Sequence, residues 1–148
     1  MRTLSASATS IARLVVDANP ILSALIGGRA RALFLSPRIE EFATTEQTIA
    51  EVLRYIPELV RKAKRGGLTE ADLYTALAAM PLRVYEPESY KGQRAEAERR
   101  IAHRDPDDVE VLALALHLEC PVWTNDADFE EAGVECYTTA QLLRKLGV

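Results

Sequence analysis

Histidine, cysteine and long apolar runs are scarce in this sequence, and each shortage removes a class of function. There are two cysteines and two histidines in 148 residues. Cys120 and Cys136 have no further Cys or His at zinc-ligand spacing, which excludes the common structural zinc sites. They read as two reduced thiols packed beside neighbouring strands, as expected of a cytoplasmic protein. His103 and His117 fall in helical patterns with no partner nearby, and no Ser/His/Asp or Cys/His arrangement for nucleophilic catalysis is legible. A Gly-x-x-x-x-Gly-Lys phosphate loop is absent. The apolar stretch from Val111 to His117 is far too short to span a bilayer, so no membrane partner is expected. The first dozen residues, MRTLSASATSIA, hold an Arg and small polar residues but no apolar core of a signal peptide. They read as an N-terminal extension over residues 1–12, which leaves residues 13–148 as a single domain of ordinary size.

Charge is abundant but unevenly placed. The formal net charge is −4, which argues against a generic nucleic-acid binder. From Asp105 to Glu135 there are ten acidic residues and no Lys or Arg; the rest of the chain holds the other 12 acids against all 18 basic residues, an excess of six. Two basic runs stand out, Arg61-Lys62-Ala63-Lys64-Arg65 and the set Lys91, Arg94, Arg99, Arg100 and Arg104. One acidic locus on a mildly basic body suits a metal site flanked by phosphate contacts. Solvated helix faces are the plainer reading of either basic run alone.

Strand and helix patterns alternate along the chain. Arg13 to Asp17 is a β-branched run ending on an acid, and Ile21 to Ile26 reads as a helix stopped by Gly27-Gly28. Arg29 to Leu35 suits a second helix and Glu40 to Thr45 a second strand. Thr44 with Gln47 three places on has the form of a capping box, and it opens a helix whose core stripe is Ile49, Val52, Leu53 and Ile56. Pro57 marks a kink or an end. Leu68-Thr69-Glu70 starts a helix to about Met80, and Leu82 to Tyr85 alternates like a strand. A charged helix from about Ser89 to His103 precedes Asp105-Pro106-Asp107-Asp108, where Asp105 suits the N-cap and Pro106 the first helical position. An apolar helix follows through VEVLALALHLE. Pro121 to Thr124 and Glu135 to Tyr137 are the last strands, and Thr139 to Leu146 the last helix. Strands separated by helices imply an α/β fold around a mainly parallel sheet.

Ligands of open parallel sheets sit beyond the carboxyl ends of the strands. Asp17 and Asp126 end the first and fourth strands and so point at the same edge. Asp17 alone could merely cap the next helix. Asp105 and Asp107 are explained by the helix dipole. Asp108 differs, because Val111, Leu112 and Ala115 place it at the head of a buried stripe, and a charge there needs a metal or a cationic partner. Periodicity does not choose between Glu46 and Glu51. Asp128 is either a further ligand or a turn residue, and Asn19 and Thr124 lie close enough in sequence to contact water bound at the site.

These residues in this order resemble the PIN domain, the nuclease fold of VapC-type toxins and related ribonucleases. The resemblance is carried by LVVDANPILSAL around Asp17, TTEQTIAEVL around Glu51, RDPDDVEVLALAL around Asp108 and VWTNDADF around Asp126. It covers Leu14 to about Leu146. The family's spacing, an acid six residues after a Thr that ends a strand, selects Glu51; its acid ahead of an Ala-rich apolar helix selects Asp108. DANP departs from the commoner start of the family's first motif. The resemblance implies a three-layer α/β/α fold with a five-stranded parallel sheet in the order 3-2-1-4-5, often dimeric. It also implies RNA as substrate, products with 5′-phosphate and 3′-hydroxyl ends, and, for a toxin, an antitoxin partner.

A carboxylate set without His or Cys favours Mg²⁺ or Mn²⁺ over zinc. At ~5 Å and an effective dielectric of ~20, each carboxylate pair repels by roughly 3 kcal/mol. One or two cations would remove that cost and activate a water for in-line attack on a phosphodiester. Asp17, Glu51, Asp108 and Asp126 are therefore the expected catalytic and metal-binding residues, with Asn19, Thr124 and Asp128 around them. Two rivals remain. One is a non-catalytic PIN-like module that binds RNA or protein. The other is a phosphatase with Asp17 as nucleophile, which would want an acid at position 19, where this chain has Asn.

Overall fold

The computed structural model describes residues 9–63, 67–101, 103 and 105–148. Most of the expected N-terminal extension, residues 1–8, lies outside the described residues, as do Lys64, Arg65 and Arg104 of the basic runs. Five parallel strands form one sheet in the order β3-β2-β1-β4-β5. They are β1 (Leu14–Val16), β2 (Phe42–Thr45), β3 (Leu82–Tyr85), β4 (Val122–Trp123) and β5 (Cys136–Tyr137). The order and the parallel sense are those the resemblance implies.

Helices cover both faces, which is why β1 is a continuous buried apolar run rather than an alternating one. Successive side chains of a strand point to opposite faces. Leu14, Val16, Phe42 and Trp123 enter one core, shared with α1 (Ala18–Leu25), α2 (Ala30–Phe34), α3 (Glu46–Lys62), α4 (Glu70–Ala79) and α8 (Thr139–Leu146). Val15, Ala43 and Val122 enter the other, beneath α5 (Pro87–Tyr90), α6 (Arg94–Ile101) and α7 (Val109–Leu118). In the first core the rings of Phe34, Phe42 and Trp123 stack as a tilted trio, with Phe34 4.8 Å from each of the other two centroids. Ile11 bridges Ile39 in parallel, so the end of the expected extension is tied to the body.

Local details depart from the sequence reading in five places, the first being Leu53, expected in the core stripe of α3 but 40% exposed, with Thr48, Val52 and Ile56 the buried positions. The cap of α3 is Thr45, whose Oγ1 accepts from the Thr48 amide at 2.9 Å, not a Thr44–Gln47 box. Thr44 instead donates to the Val16 carbonyl at 2.9 Å and fastens β2 to β1. Pro57 does not end α3, which runs on to Lys62. Its missing N–H would have served the Leu53 carbonyl, and Leu53 and Pro57 are both exposed, where water can take that role. The charged helix divides into α5, a 3₁₀ turn (Lys91–Gln93) and α6, with Gly92 in the turn weakening the helical run. Finally, Pro106–Asp108 is a 3₁₀ turn and only Val109 onward is α-helix. No helix of the described residues is long and apolar enough to cross a membrane, and both cysteines are free.

Candidate functional site

With β1 flanked by β2 and β4, chain connections leave in opposite directions between β1 and β4, and that is where a parallel sheet opens a crevice. The residues that follow these two strands meet there. Asp17 is the N-cap of α1: one carboxylate oxygen accepts from the Ala18 amide at 2.8 Å. Its other oxygen accepts from the Thr124 hydroxyl, also at 2.8 Å. The two readings of Asp17, cap and site residue, are thus compatible in one side chain. Thr124 is buried, and its Oγ1 in turn accepts from the Asp126 amide at 3.0 Å. Asp126 caps the following 3₁₀ turn by accepting from the Asp128 amide at 2.9 Å. These bonds fix the loop after β4 against the end of β1. Asn125 adds a second tie, donating to Asn19 at 3.3 Å and accepting from the Thr139 amide at 3.1 Å.

The turn Pro106–Asp108 supplies the next carboxylates. Asp105 caps it, accepting from the Asp107 amide at 3.0 Å, and the Asp108 amide donates back to the Asp105 carbonyl at 3.0 Å. Asp105 precedes the turn with extended backbone, and its carboxylate and those of Asp108 and Asp126 each offer an oxygen within 4.8 Å of the others. Asp108 is 6% exposed, and its Oδ2 has no hydrogen-bond partner among the described residues.

A cleft of about 420 Å³ holds Asp17, Asn19, Glu51, Tyr55, Asp105, Asp107, Asp108, Asn125 and Asp126 among its walls. Four expected acids, Asp17, Glu51, Asp108 and Asp126, and Asn19 are brought together here. Thr124 stands behind Asp17, and Asp128 contributes its backbone amide. Glu46 is exposed and is not among the lining residues. Asp105 was assigned only a capping role from the sequence; the spacing Asp-Pro-Asp-Asp, with Pro tightening the turn, was the signal that could have found it. His103 and His117 are both exposed and line no part of the cleft.

The electrostatics follow from this crowding. Burial, then the charges of Asp17, Asp105 and Asp126, push the Asp108 carboxyl up to about 8. Asp17 is also raised, chiefly by burial, against the opposing hydrogen bonds from Thr124 and Ala18. Glu51 is raised by burial and by Asp17 and Asp107, with Arg54 acting the other way. Such a set is short of positive charge, and no salt bridge among the described residues reaches Asp105, Asp108 or Asp126. Oxygen-only donors and a buried oxygen without a partner fit a hard divalent cation such as Mg²⁺ or Mn²⁺.

The expected basic helices are less free than their composition suggests. Arg61 and Lys62 pair with Glu58, Lys91 with Glu88, Arg99 and Arg100 with Glu96, and Arg94 with Glu98 and Glu110. Arg54 remains beside the cleft, lining a small recess with Glu51, Tyr55, Glu58 and Asp107. A larger concavity, about 760 Å³, lies among Arg13, Glu41, Cys120 and Lys145. Glu40, Glu41, Glu119 and Glu135 are also in its lining; Arg13 pairs with Glu41 there at 3.2 Å, and burial pushes the Cys120 thiol up to about 11.

The family model described as PIN domain matches residues 15–147. No curated protein matches the chain. Among solved structures, the chain is similar to PAE2754 from Pyrobaculum aerophilum, with a TM-score of 0.64 and 20% identity, over 92% of this chain and 96% of that one. VapBC2 from Rickettsia felis, bound to a DNA fragment from their promoter, aligns with a TM-score of 0.61 and 12% identity over 85% and 98%. FitAcB from Neisseria gonorrhoeae aligns with a TM-score of 0.56 and 17% identity over 86% and 98%. At these identities the likeness is one of fold.

Proposed function

This chain belongs to the PIN domain family, a family of nucleases, and from that premise we propose that it is an endoribonuclease dependent on Mg²⁺ or Mn²⁺. The observation that carries the proposal is the convergence of Asp17, Glu51, Asp108 and Asp126 on one cleft, with a buried Asp108 oxygen that lacks a partner. Asp17, Asp108 and Asp126 would hold the cation. Bound there, the ion supplies Lewis-acid activation of a water and stabilises charge on the scissile phosphodiester. Glu51, on α3, orients the attacking water and takes its proton; burial and the charges of Asp17 and Asp107 raise its affinity for that proton. Thr124 holds Asp17 in its rotamer through their hydrogen bond, and Asn19 with Asn125 shapes the mouth of the cleft. Arg54 is the cation placed to meet a backbone phosphate, and Tyr55 beside it offers an exposed ring to a base.

The same reading takes residues 13–148 as one domain with an extension before it, acting in the cytoplasm as a homodimer. The likeness to VapBC2 supports a toxin role, with an antitoxin protein as partner. The test is cleavage of single-stranded and structured RNA by the purified protein with Mn²⁺ or Mg²⁺. Cleavage should fall by about 100-fold or more in Asp17→Asn and Asp126→Asn, the scale of losing a main contributor to charge stabilisation. Activity that survives EDTA, or both substitutions, would overturn the assignment. Binding of RNA without cleavage at any metal concentration would support a non-catalytic module instead.

A further inference from the structure

The turn ahead of α7 carries more than its expected acid. Asp105 caps the turn with one oxygen and still has a second, and a carboxylate can serve several partners at once. Asp105, Asp108 and Asp126 each offer one carboxylate oxygen within 4.8 Å of the other two. Asn and Ser cap a helix start about as well as Asp. Either would do so here without adding a negative charge beside two others. An aspartate at this position raises the cost of the cluster unless a cation binds it. The buried Asp108 Oδ2, which has no partner, faces that need independently.

We infer that Asp105 is a direct ligand of the divalent cation, and that the ion is held primarily by the trio Asp105, Asp108 and Asp126, on the α7 side of the cleft. Asp17, which lines the same cleft, stays a ligand beside the trio, and Glu51 is left to water or to a second ion. This inference rests on the metal-dependent reading above but assigns a ligand outside its four acids. Asp107 belongs to the same turn and cleft and carries the same charge, yet it is outside the trio. It is therefore the control for charge alone.

The experiment is Mn²⁺ titration followed by electron paramagnetic resonance and by calorimetry, on the full chain and on Asp105→Asn, Asp107→Asn and Asp108→Asn. Asn retains the cap, and a metal-free melting curve for each variant confirms that it folds; Asp105→Ser, with another capping side chain, is the second variant. Asp105→Asn and Asp105→Ser should each weaken Mn²⁺ binding by more than about 100-fold, and Asp107→Asn by less than about fivefold, since loss of an outer partner of a metal site costs ~10–100-fold and loss of a direct ligand exceeds that. Mn²⁺ affinity in Asp105→Asn equal to that in Asp107→Asn, with Asp108→Asn impaired, would overturn the inference and leave the metal-nuclease reading standing. Failure of the unsubstituted protein to bind Mn²⁺ would remove both.

Discussion

Asp108 is the residue whose protonation connects the site to the stability of the chain. Its carboxyl sits at about 8 because it is buried and faces the charges of Asp17, Asp105 and Asp126. In the unfolded chain it would titrate near 3.8. The fold thus favours the protonated acid. That contribution is fully present below the ordinary carboxylate range and is lost as pH rises through the folded value near 8, because the native state binds more protons than the unfolded one across that interval. The slope from a single such group is at most about 1.4 kcal/mol per pH unit. Asp17 and Glu51, also raised, act with the same sign. In EDTA, the melting temperature should fall between pH 5.5 and pH 8.5, and Asp108→Asn should melt above the unsubstituted protein at the alkaline end. Circular dichroism over that range decides it; an Asp108→Asn variant less stable at pH 8 would mean that a hydrogen bond, not crowded charge, governs this carboxyl.

At the scale of elements, the helix that presents Asp108 is anchored by a second buried acid. Glu110 is 5% exposed, although it lies in an otherwise apolar helix. The Tyr90 hydroxyl donates to one of its oxygens and Arg94 pairs with the other, so α5 and α6 clamp the first turn of α7. Nothing in the apolar pattern of VEVLALALHL foretold this, because a helix buried on most faces shows no polar side on which to place an acid. The division of the charged helix was hidden for a related reason: a Tyr90 contact twenty residues away in sequence outweighs local propensity. By contrast, the bounds of α8 were legible to the residue, since the stripe of Leu142, Leu143 and Leu146 has only one solution, and the bounds of β3 were legible too, although its burial does not alternate and Val84 is exposed. Tyr90→Phe removes the donor but not the ring. It should destabilise the protein by roughly 1–3 kcal/mol, the cost of a buried charged acceptor left without its partner. Urea unfolding measures this, and combining the change with Glu110→Gln should recover part of the loss. A near-zero effect of Tyr90→Phe would show that Arg94 alone satisfies the acid.

For the molecule as a whole, the sheet order does most of the placing. Strands β1 and β4 are adjacent in space though the paired Val16 and Trp123 are 107 positions apart in the chain, and the acids after them become neighbours only because of that pairing. Strand-end acids could be recognised from sequence because a parallel sheet has one functional edge. Glu51 could not be placed by its helix stripe, since its position depends on how α3 crosses that edge, and it was the family's spacing that singled it out. Most pairs between the basic runs and neighbouring glutamates have the i,i+3 or i,i+4 spacing that a helix brings together, which the sequence already carries; the pair of Arg94 with Glu110 was invisible, because it depends on how α6 packs on α7. A cation in the cleft would join segments after β1, after β4, before α7 and on α3, so its binding should strengthen the global fold rather than one loop. Mn²⁺ at ~100 times its Kd adds about 2.7 kcal/mol to stability, which for a chain of this size corresponds to roughly 5–10 °C in Tm. Trp123, the only tryptophan and fully buried beside the site loop, reports the transition by fluorescence. The rise should disappear in excess EDTA and in Asp108→Asn combined with Asp126→Asn. A rise that persists in that double variant would place the ion elsewhere on the acidic surface and detach it from the cleft.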